Sequence, residues 1–221
     1  MKLKDNENFA VLGVFLGGIS LLSALVLAVV SHYTAGPIAE AKALRDSQAL
    51  RQILPAFDND INEKMLHIKS PAGWRVTLRA ARKNGQITGY AASAVNPRGY
   101  AGNIKMLAGL DPAGPIRAIL ITEHNETPGL GAEICKREFR KTIFNFTRPV
   151  PQGLPPNACL DQFNGQKVPA EGWRIRKDGG TALYVTGATV TSRAVTESAS
   201  EIALAFRKNR KKISAAFGGA K

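Results

Sequence analysis

A run of 22 residues without a charge, from Phe9 to Val30, limits what this chain can fold into more than any other feature. As an α-helix rising 1.5 Å per residue, the run would be roughly 33 Å long, enough to cross a bilayer core about 30 Å thick. A cleaved signal peptide is the alternative, but its apolar region is usually shorter, about 7–15 residues. The length therefore predicts a retained transmembrane helix over residues 9–30.

Basic residues flank this segment unevenly. Lys2 and Lys4 precede it, and no Lys or Arg follows until Lys42. Basic flanks favour the cytoplasmic side of a membrane, and acidic residues count little. The N-terminus, residues 1–8, is therefore expected to be cytoplasmic. In a bacterium this orientation places the remainder of the chain on the periplasmic side of the inner membrane.

The rest of the sequence indicates a stalk, one domain and a tail. Residues 31–70 are interpreted as a stalk and first helix, in which Pro37 suits the first turn of a new helix. The folded domain is expected over residues 71–206. The run RKNRKK opens a basic C-terminal tail, residues 207–221, which is expected to be solvated.

Extended patterns dominate the first half of the domain. Two of them flank an Asn84-Gly85 step, a strong hairpin signal. A second extended pair surrounds the turn residues 112–115. Helical patterns follow over residues 133–146 and from about Ser192 onward. Strands grouped before helices, without β-α-β alternation, predict an α+β domain with a largely antiparallel sheet and flanking helices.

Composition excludes some classes of function. The net charge is +13, but no nucleic-acid recognition motif accompanies it, and a basic domain beside a bilayer is expected to meet membrane lipid or acidic partner proteins. Cys135 and Cys159 do not form a metal-binding pair, and the three histidines are scattered, so no metal site is expected. A disulfide between the two cysteines is permitted outside the cytoplasm, and both alternatives stay open.

The stretch TGATVTSRAV, residues 186–195, combines four hydroxyls with a Gly-Ala step. Thr191 or Ser192 could cap the following helix. A helix start is also a favourable place for a phosphate, and Gly187 and Ala188 would let one approach closely. Thr186, Thr191 and Ser192 could then donate hydrogen bonds to a phosphate near Thr189.

This motif resembles the flavin attachment motif of the periplasmic FMN-binding domains in bacterial Rnf and Nqr respiratory complexes. The segment TEHNETPGLGAEI, residues 122–134, resembles the loop that lies against the flavin in that family. PRGYAGNIKMLAGLD, residues 97–111, resembles the family's Gly-Tyr-x-Gly strand entry. Within the family, the chain looks most similar to the G subunits of the Rnf ion-translocating ferredoxin:NAD oxidoreductases. The C subunits of the sodium-pumping NADH:quinone reductases share the flavin attachment motif and the ETPGLG loop. They are the alternative to the G subunits.

The resemblance implies that Thr189 carries FMN through a phosphoester and that the domain is an electron relay without substrate turnover of its own. It also implies contacts with the other members of the complex and with the flavin transferase that loads FMN. The expected cofactor-binding residues, besides the attachment site, are Thr186, Gly187, Ala188, Thr191, Ser192, Glu126, Thr127, Gly129, Leu130 and Gly131.

One position departs from the family pattern. The transferase usually recognises an Asp three residues before the first hydroxyl of the motif, and Leu183 stands there. A membrane-anchored adaptor that keeps the fold without a flavin is therefore the alternative of a different class.

Overall fold

The computed structural model describes residues 9–139 and 153–218, and it begins with one long helix. Helix α1 runs from Phe9 to Ile53 without interruption and contains Pro37. The expectation of a separate helix starting at Pro37 is therefore wrong, because a trans proline can be accommodated within a long helix despite the lost hydrogen bond. Within the described residues, this is the one helix long and apolar enough to cross a membrane. The apolar side chains between Val11 and Leu44 are exposed, unlike those of a core helix.

The compact unit begins at Gln48 and is built on one antiparallel sheet. The strands pair in chain order: β1 Met65–Lys69, β2 Arg75–Lys83, β3 Gln86–Gly99, β4 Gly102–Leu110 and β5 Ile116–Glu123. At the predicted hairpin, Asn84 and Gly85 both have positive φ angles, 52° and 78°, as a type I′ turn requires. The predicted α+β architecture is confirmed. Strand β1 was not predicted from the sequence.

Both faces of the sheet are covered. Along β4, Met106 and Ala108 belong to the larger core, whereas Leu107, between them, belongs to a second core with Leu50 and Ile53. Alternate residues of a strand point to opposite faces, so one strand contributes to both cores. The backbone carbonyl of Ile53 lies so close to Gly109 that a Cβ there would approach it within 2.2 Å.

In the part of the chain that the structure describes, four α-helices follow the sheet. They are α2 Gly131–Cys135, α3 Ala158–Asp161, α4 Thr189–Lys208 and α5 Arg210–Phe217. Helix α4 is the longest of these four, and its buried face packs against the larger core. It starts three residues before the predicted Ser192.

Two of the sequence expectations change in this region. The helix predicted over residues 133–146 is helical only to Cys135 in its described part, and residues 140–152 lie outside the described residues. The basic segment expected as a solvated tail contains α5, because Ile213 and Phe217 supply two buried anchors on one helical face.

Candidate functional site

The hydroxyl motif, residues 186–195, and the ETPGLG loop, within residues 122–134, meet at a cleft of about 440 Å³. These two segments are the two motifs of the site. One wall is the start of α4 and the turn before it, and the other is the loop that follows β5. The lining residues are Tyr100, Glu126, Thr127, Leu130, Gly131, Lys177, Gly187, Ala188, Thr189, Val190 and Thr191. Volumes of roughly 300–1,000 Å³ are typical of sites that hold a small molecule.

Glu126 is a buried acid in the wall of this cleft, with only 4 % of its surface exposed. Its Oε2 accepts a hydrogen bond from Thr191 Oγ1 at 2.5 Å, and its Oε1 accepts one from the Ala101 N–H at 3.3 Å. Its own N–H donates to His124 Nδ1 at 3.2 Å. One carboxylate thus joins the β5 loop, the β3–β4 turn and α4.

Glycine is required where the walls approach this carboxylate. A Cβ on Gly131 would lie 2.6 Å from Glu126 Oε2 and 2.6 Å from Thr191 Oγ1. A Cβ on Gly99 would lie 2.6 Å from Glu126 Oε1. Gly131 of the ETPGLG segment and Gly99 of the RGYAG segment therefore allow close packing around Glu126.

The hydroxyls of the motif have different surroundings, and the alternative of a helix cap by Thr191 or Ser192 is not what the structure shows. The residue before α4 is Ala188, and no side chain caps the helix. Ser192 lies inside α4, where its hydroxyl donates to the Ala188 carbonyl at 2.9 Å and accepts from the Val185 N–H at 3.1 Å. Thr191 is also internal and is committed to Glu126. Ser192 thus holds the preceding turn against the helix, and Thr191 holds the loop after β5 against it.

Thr189 differs from these residues. It is the first residue of α4, it is half-buried, and it lines the cleft. Within the described part of the chain, its hydroxyl makes no hydrogen bond to another residue. Thr186 is exposed in the turn and does not line the cleft. Among the threonines of the motif, Thr189 is therefore the one that lines the cleft and whose hydroxyl is not committed to another described residue.

The turn before Thr189 leaves space for a ligand beside Gly187. Gly187 has a φ of 87°, in the left-handed region that favours glycine. Among the described residues beyond its chain neighbours, a Cβ there would contact only Leu130, whose Cδ2 would be 3.5 Å away. The backbone of the turn is thus open to the cleft, and the first N–H groups of α4 lack helical partners.

The cleft brings together most of the residues that the sequence singled out. Of these, Gly187, Ala188, Thr189, Thr191, Glu126, Thr127, Leu130 and Gly131 line it, whereas Thr186, Ser192 and Gly129 do not. Tyr100, Lys177 and Val190 also line it and were not among the expected residues. Tyr100 stands in the quoted RGYAG segment, so its motif was a usable signal, whereas Lys177 lies in no motif.

The two cysteines are free thiols. Burial, together with the charge of Glu126, raises the pKa of the Cys135 thiol to about 12. Burial also raises the pKa of Cys159. Neither lines the cleft, and within the described residues no group of His, Cys, Asp and Glu side chains could hold a metal ion.

A larger groove, about 910 Å³, lies elsewhere, lined by Tyr90, Phe206 and Arg210 among others. It shares no residue with the cleft and contains neither of the two motifs. Size alone therefore does not identify the site in this molecule.

Comparison with known proteins identifies the family to which the chain belongs. Residues 99–203 match the family model of the FMN-binding domain, and this segment includes every residue that lines the cleft. The G subunit of the ion-translocating oxidoreductase complex of Haemophilus influenzae (strain PittEE) is 32 % identical over 202 residues, which are 90 % of each chain. The Photorhabdus laumondii G subunit is 35 % identical over 200 residues, 87 % of each chain. The Shewanella piezotolerans G subunit is 32 % identical over 210 residues, 91 % of each chain.

Proposed function

The chain belongs to the family of G subunits of ion-translocating oxidoreductase complexes, and from this membership we propose that it carries FMN on Thr189 and relays electrons within an Rnf-type complex. The proposed bond is a phosphoester between Thr189 Oγ1 and the phosphate of FMN. The observation that carries this proposal is the accessible hydroxyl of Thr189 in a cleft made by the two motifs.

The residues of the cleft fit FMN. Gly187 leaves the backbone of the turn open, and Leu130 is the described residue that a Cβ at this position would contact. The start of α4 favours a phosphate near Thr189. Leu130 and Tyr100, which are exposed in the lining, are available to contact an aromatic ring. FMN supplies one- and two-electron chemistry at that ring when it is bound.

The chain's own residues have a holding role in this proposal. Thr189 anchors the phosphate, so that the cofactor is retained on the periplasmic side of the membrane. Glu126 and Thr191 fix the β5 loop against α4, and this keeps Thr127 and Leu130 at the cleft. Helix α1 anchors the protein in the inner membrane, where the other membrane proteins of the complex and the flavin transferase are its expected partners.

The relatives from Haemophilus, Photorhabdus and Shewanella are all G subunits, and this favours the Rnf-type assignment over the C-subunit type of the sodium-pumping reductase. The flavin-free adaptor differs in one measurable property, the absence of a covalent flavin. Leu183 is its main support, since it replaces the Asp of the usual loading motif.

The test is in-gel flavin fluorescence of the denatured full-length protein, produced together with its flavin transferase. Fluorescence in the wild type and its absence in Thr189→Val are expected. Thr186→Val, which removes an exposed hydroxyl outside the cleft, is the matched control and should remain fluorescent. Equal fluorescence of Thr189→Val and the wild type would move the attachment to another residue. A dark wild-type band would favour the adaptor.

A further inference from the structure

Lys177 is a basic residue that lines the cleft but lies outside both motifs. Among the lining residues it carries the positive charge, and Glu126 carries the negative one. Glu126 is buried and hydrogen-bonded, whereas Lys177 is exposed. Within the described residues, the Lys177 ammonium makes no hydrogen bond or ion pair of its own. Its charge helps to lower the pKa of the neighbouring Asp178, but the ammonium is not bonded to that carboxylate and is available to a ligand of the cleft.

The backbone that carries Lys177 is held firmly. Arg176–Asp178 form a single 3₁₀ turn. The Arg176 N–H donates to the Ala182 carbonyl at 2.8 Å, and the Asp178 N–H donates to the Ile175 carbonyl at 2.9 Å. The side chain of Lys177 thus extends from a short turn in which Arg176 and Asp178, on either side of it, are both held by backbone hydrogen bonds.

An ion pair fastens this turn to α4. Asp178 accepts two hydrogen bonds from the guanidinium of Arg193, from Nε at 2.6 Å and from a terminal nitrogen at 2.8 Å. The Arg193 hydrogen bond holds the pKa of Asp178 below its usual value, and the same bond raises the pKa of Arg193. Two parallel bonds from one guanidinium define direction as well as distance.

The position of Arg193 on the helix locates the turn relative to Thr189. Arg193 follows Thr189 by four residues, and residues four apart lie on the same side of an α-helix, with Cβ atoms about 5–6 Å apart. Asp178 therefore sits beside the helix face that Thr189 begins, and Lys177, its neighbour, lines the cleft together with Thr189.

We propose that Lys177 binds the flavin phosphate at Thr189, and that the Asp178–Arg193 pair positions the turn from which it does so. The proposal rests on the proposed function, because it takes FMN as the ligand of the cleft. A phosphate esterified to both flavin and protein keeps one negative charge, which a lysine ammonium matches as a point charge. Lys177 thereby distinguishes a phosphorylated flavin from riboflavin.

The first experiment uses the full-length Thr189→Val protein in detergent, where binding is reversible. Flavin fluorescence titrations with FMN and with riboflavin separate the contribution of the phosphate, because the two ligands differ only in that group. Lys177→Gln should weaken FMN binding about three- to fivefold, the effect expected of an exposed ion pair, and leave riboflavin binding unchanged. Lys177→Arg should keep most of the FMN affinity.

Arg176→Gln is the matched control, because it removes the same charge from the same turn at a residue that does not line the cleft. It should change FMN affinity less than about twofold, since exposed charges outside a contact contribute little. Arg193→Gln should weaken FMN binding while riboflavin binding stays constant, since it releases the turn but leaves Lys177 in the sequence. Equal losses in Lys177→Gln and Arg176→Gln, or a parallel loss of riboflavin affinity, would overturn the proposal.

The second experiment uses the covalently loaded wild-type background, and it decides the matter if Thr189→Val binds both flavins too weakly to titrate. The ³¹P NMR signal of the attached flavin should shift in Lys177→Gln and remain at the wild-type position in Arg176→Gln. Coincident signals in all three proteins would refute the role of Lys177 while leaving the covalent flavin intact. Absence of covalent flavin from the wild type would refute the proposed function instead.

Discussion

Thr191 donates a 2.5 Å hydrogen bond to Glu126 across 65 positions of sequence, and both residues are buried. Each belongs to one of the two motifs that meet at the cleft. The bond joins the first turn of α4 to the loop after β5, so it fixes the spacing between the two walls. The carboxylate has the Ala101 N–H as its second partner.

Thr191→Val should therefore destabilise the protein. The substitution keeps the shape of the side chain and leaves Glu126 short of one hydrogen bond in a buried place, a loss of about 1–3 kcal/mol. Thermal unfolding of the full-length protein in detergent measures it. Thr196→Val is the matched control, because Thr196 is equally buried on α4 but donates only to the Ser192 carbonyl of its own helix. Equal losses of stability in the two variants would show that Glu126 does not depend on Thr191.

The sequence predicted those parts of the fold that depend on neighbouring residues. The hairpin at Asn84-Gly85 is an example, since two residues with positive φ determine the turn. Helix α5 was missed because its basic residues conceal two buried positions, Ile213 and Phe217. The continuity of α1 through Pro37 was missed because proline usually marks a helix start.

The residues of the candidate site likewise fall into two groups, those that a local motif indicates and one that depends on a contact between distant segments. The hydroxyl motif and the ETPGLG loop were found as separate segments, and their meeting in one cleft was expected only from the family resemblance. Lys177 could not be found, because it comes from a 3₁₀ turn well before the hydroxyl motif and depends on the pairing of Asp178 with Arg193. No local pattern encodes that pairing.

The contact between Arg137 and Asp161 predicts how stability depends on pH. Burial alone would raise the pKa of Asp161, but hydrogen bonds from Arg137, the Asn157 N–H and Asn164 together hold it below its usual value. The folded pKa thus lies below the unfolded one, about 3.9. The resulting stability is fully present above about pH 5 and is lost as the pH falls through the folded pKa.

Asp161→Asn should accordingly flatten the acid side of the stability profile. Unfolding temperatures of the full-length protein between about pH 6 and pH 3 measure the slope, since this range approaches the folded pKa from above. Asp111→Asn is the control, because the Asp111–Arg117 pair is longer, at 3.6 Å, and both of its side chains are substantially exposed. The control should retain the wild-type slope, and an unchanged slope in Asp161→Asn would contradict the prediction.

Cys135 should be unreactive in the folded protein. Its thiol is buried and its pKa is raised to about 12, so almost no thiolate exists at about pH 8. Cys159 is half-buried and should react with a maleimide first. Mass spectrometry of peptides after timed labelling distinguishes the two. In Cys159→Ser, labelling should appear only after denaturation, and rapid labelling of native Cys135 would contradict the burial that the structure shows.

Leu183→Asp should increase the yield of covalent flavin. The substitution supplies the acid that the transferase usually recognises in this family. The backbone of Leu183 is held by Gln162, whose Oε1 accepts its N–H at 2.6 Å, and the side chain is only partly buried, so the fold should tolerate the change. In-gel flavin fluorescence per mole of protein, followed over the time of co-expression with the transferase, measures loading. Asparagine has nearly the shape of aspartate but no charge, so Leu183→Asn should load like the wild type. If Leu183→Asp and Leu183→Asn load equally, the carboxylate is not what the transferase recognises at this position.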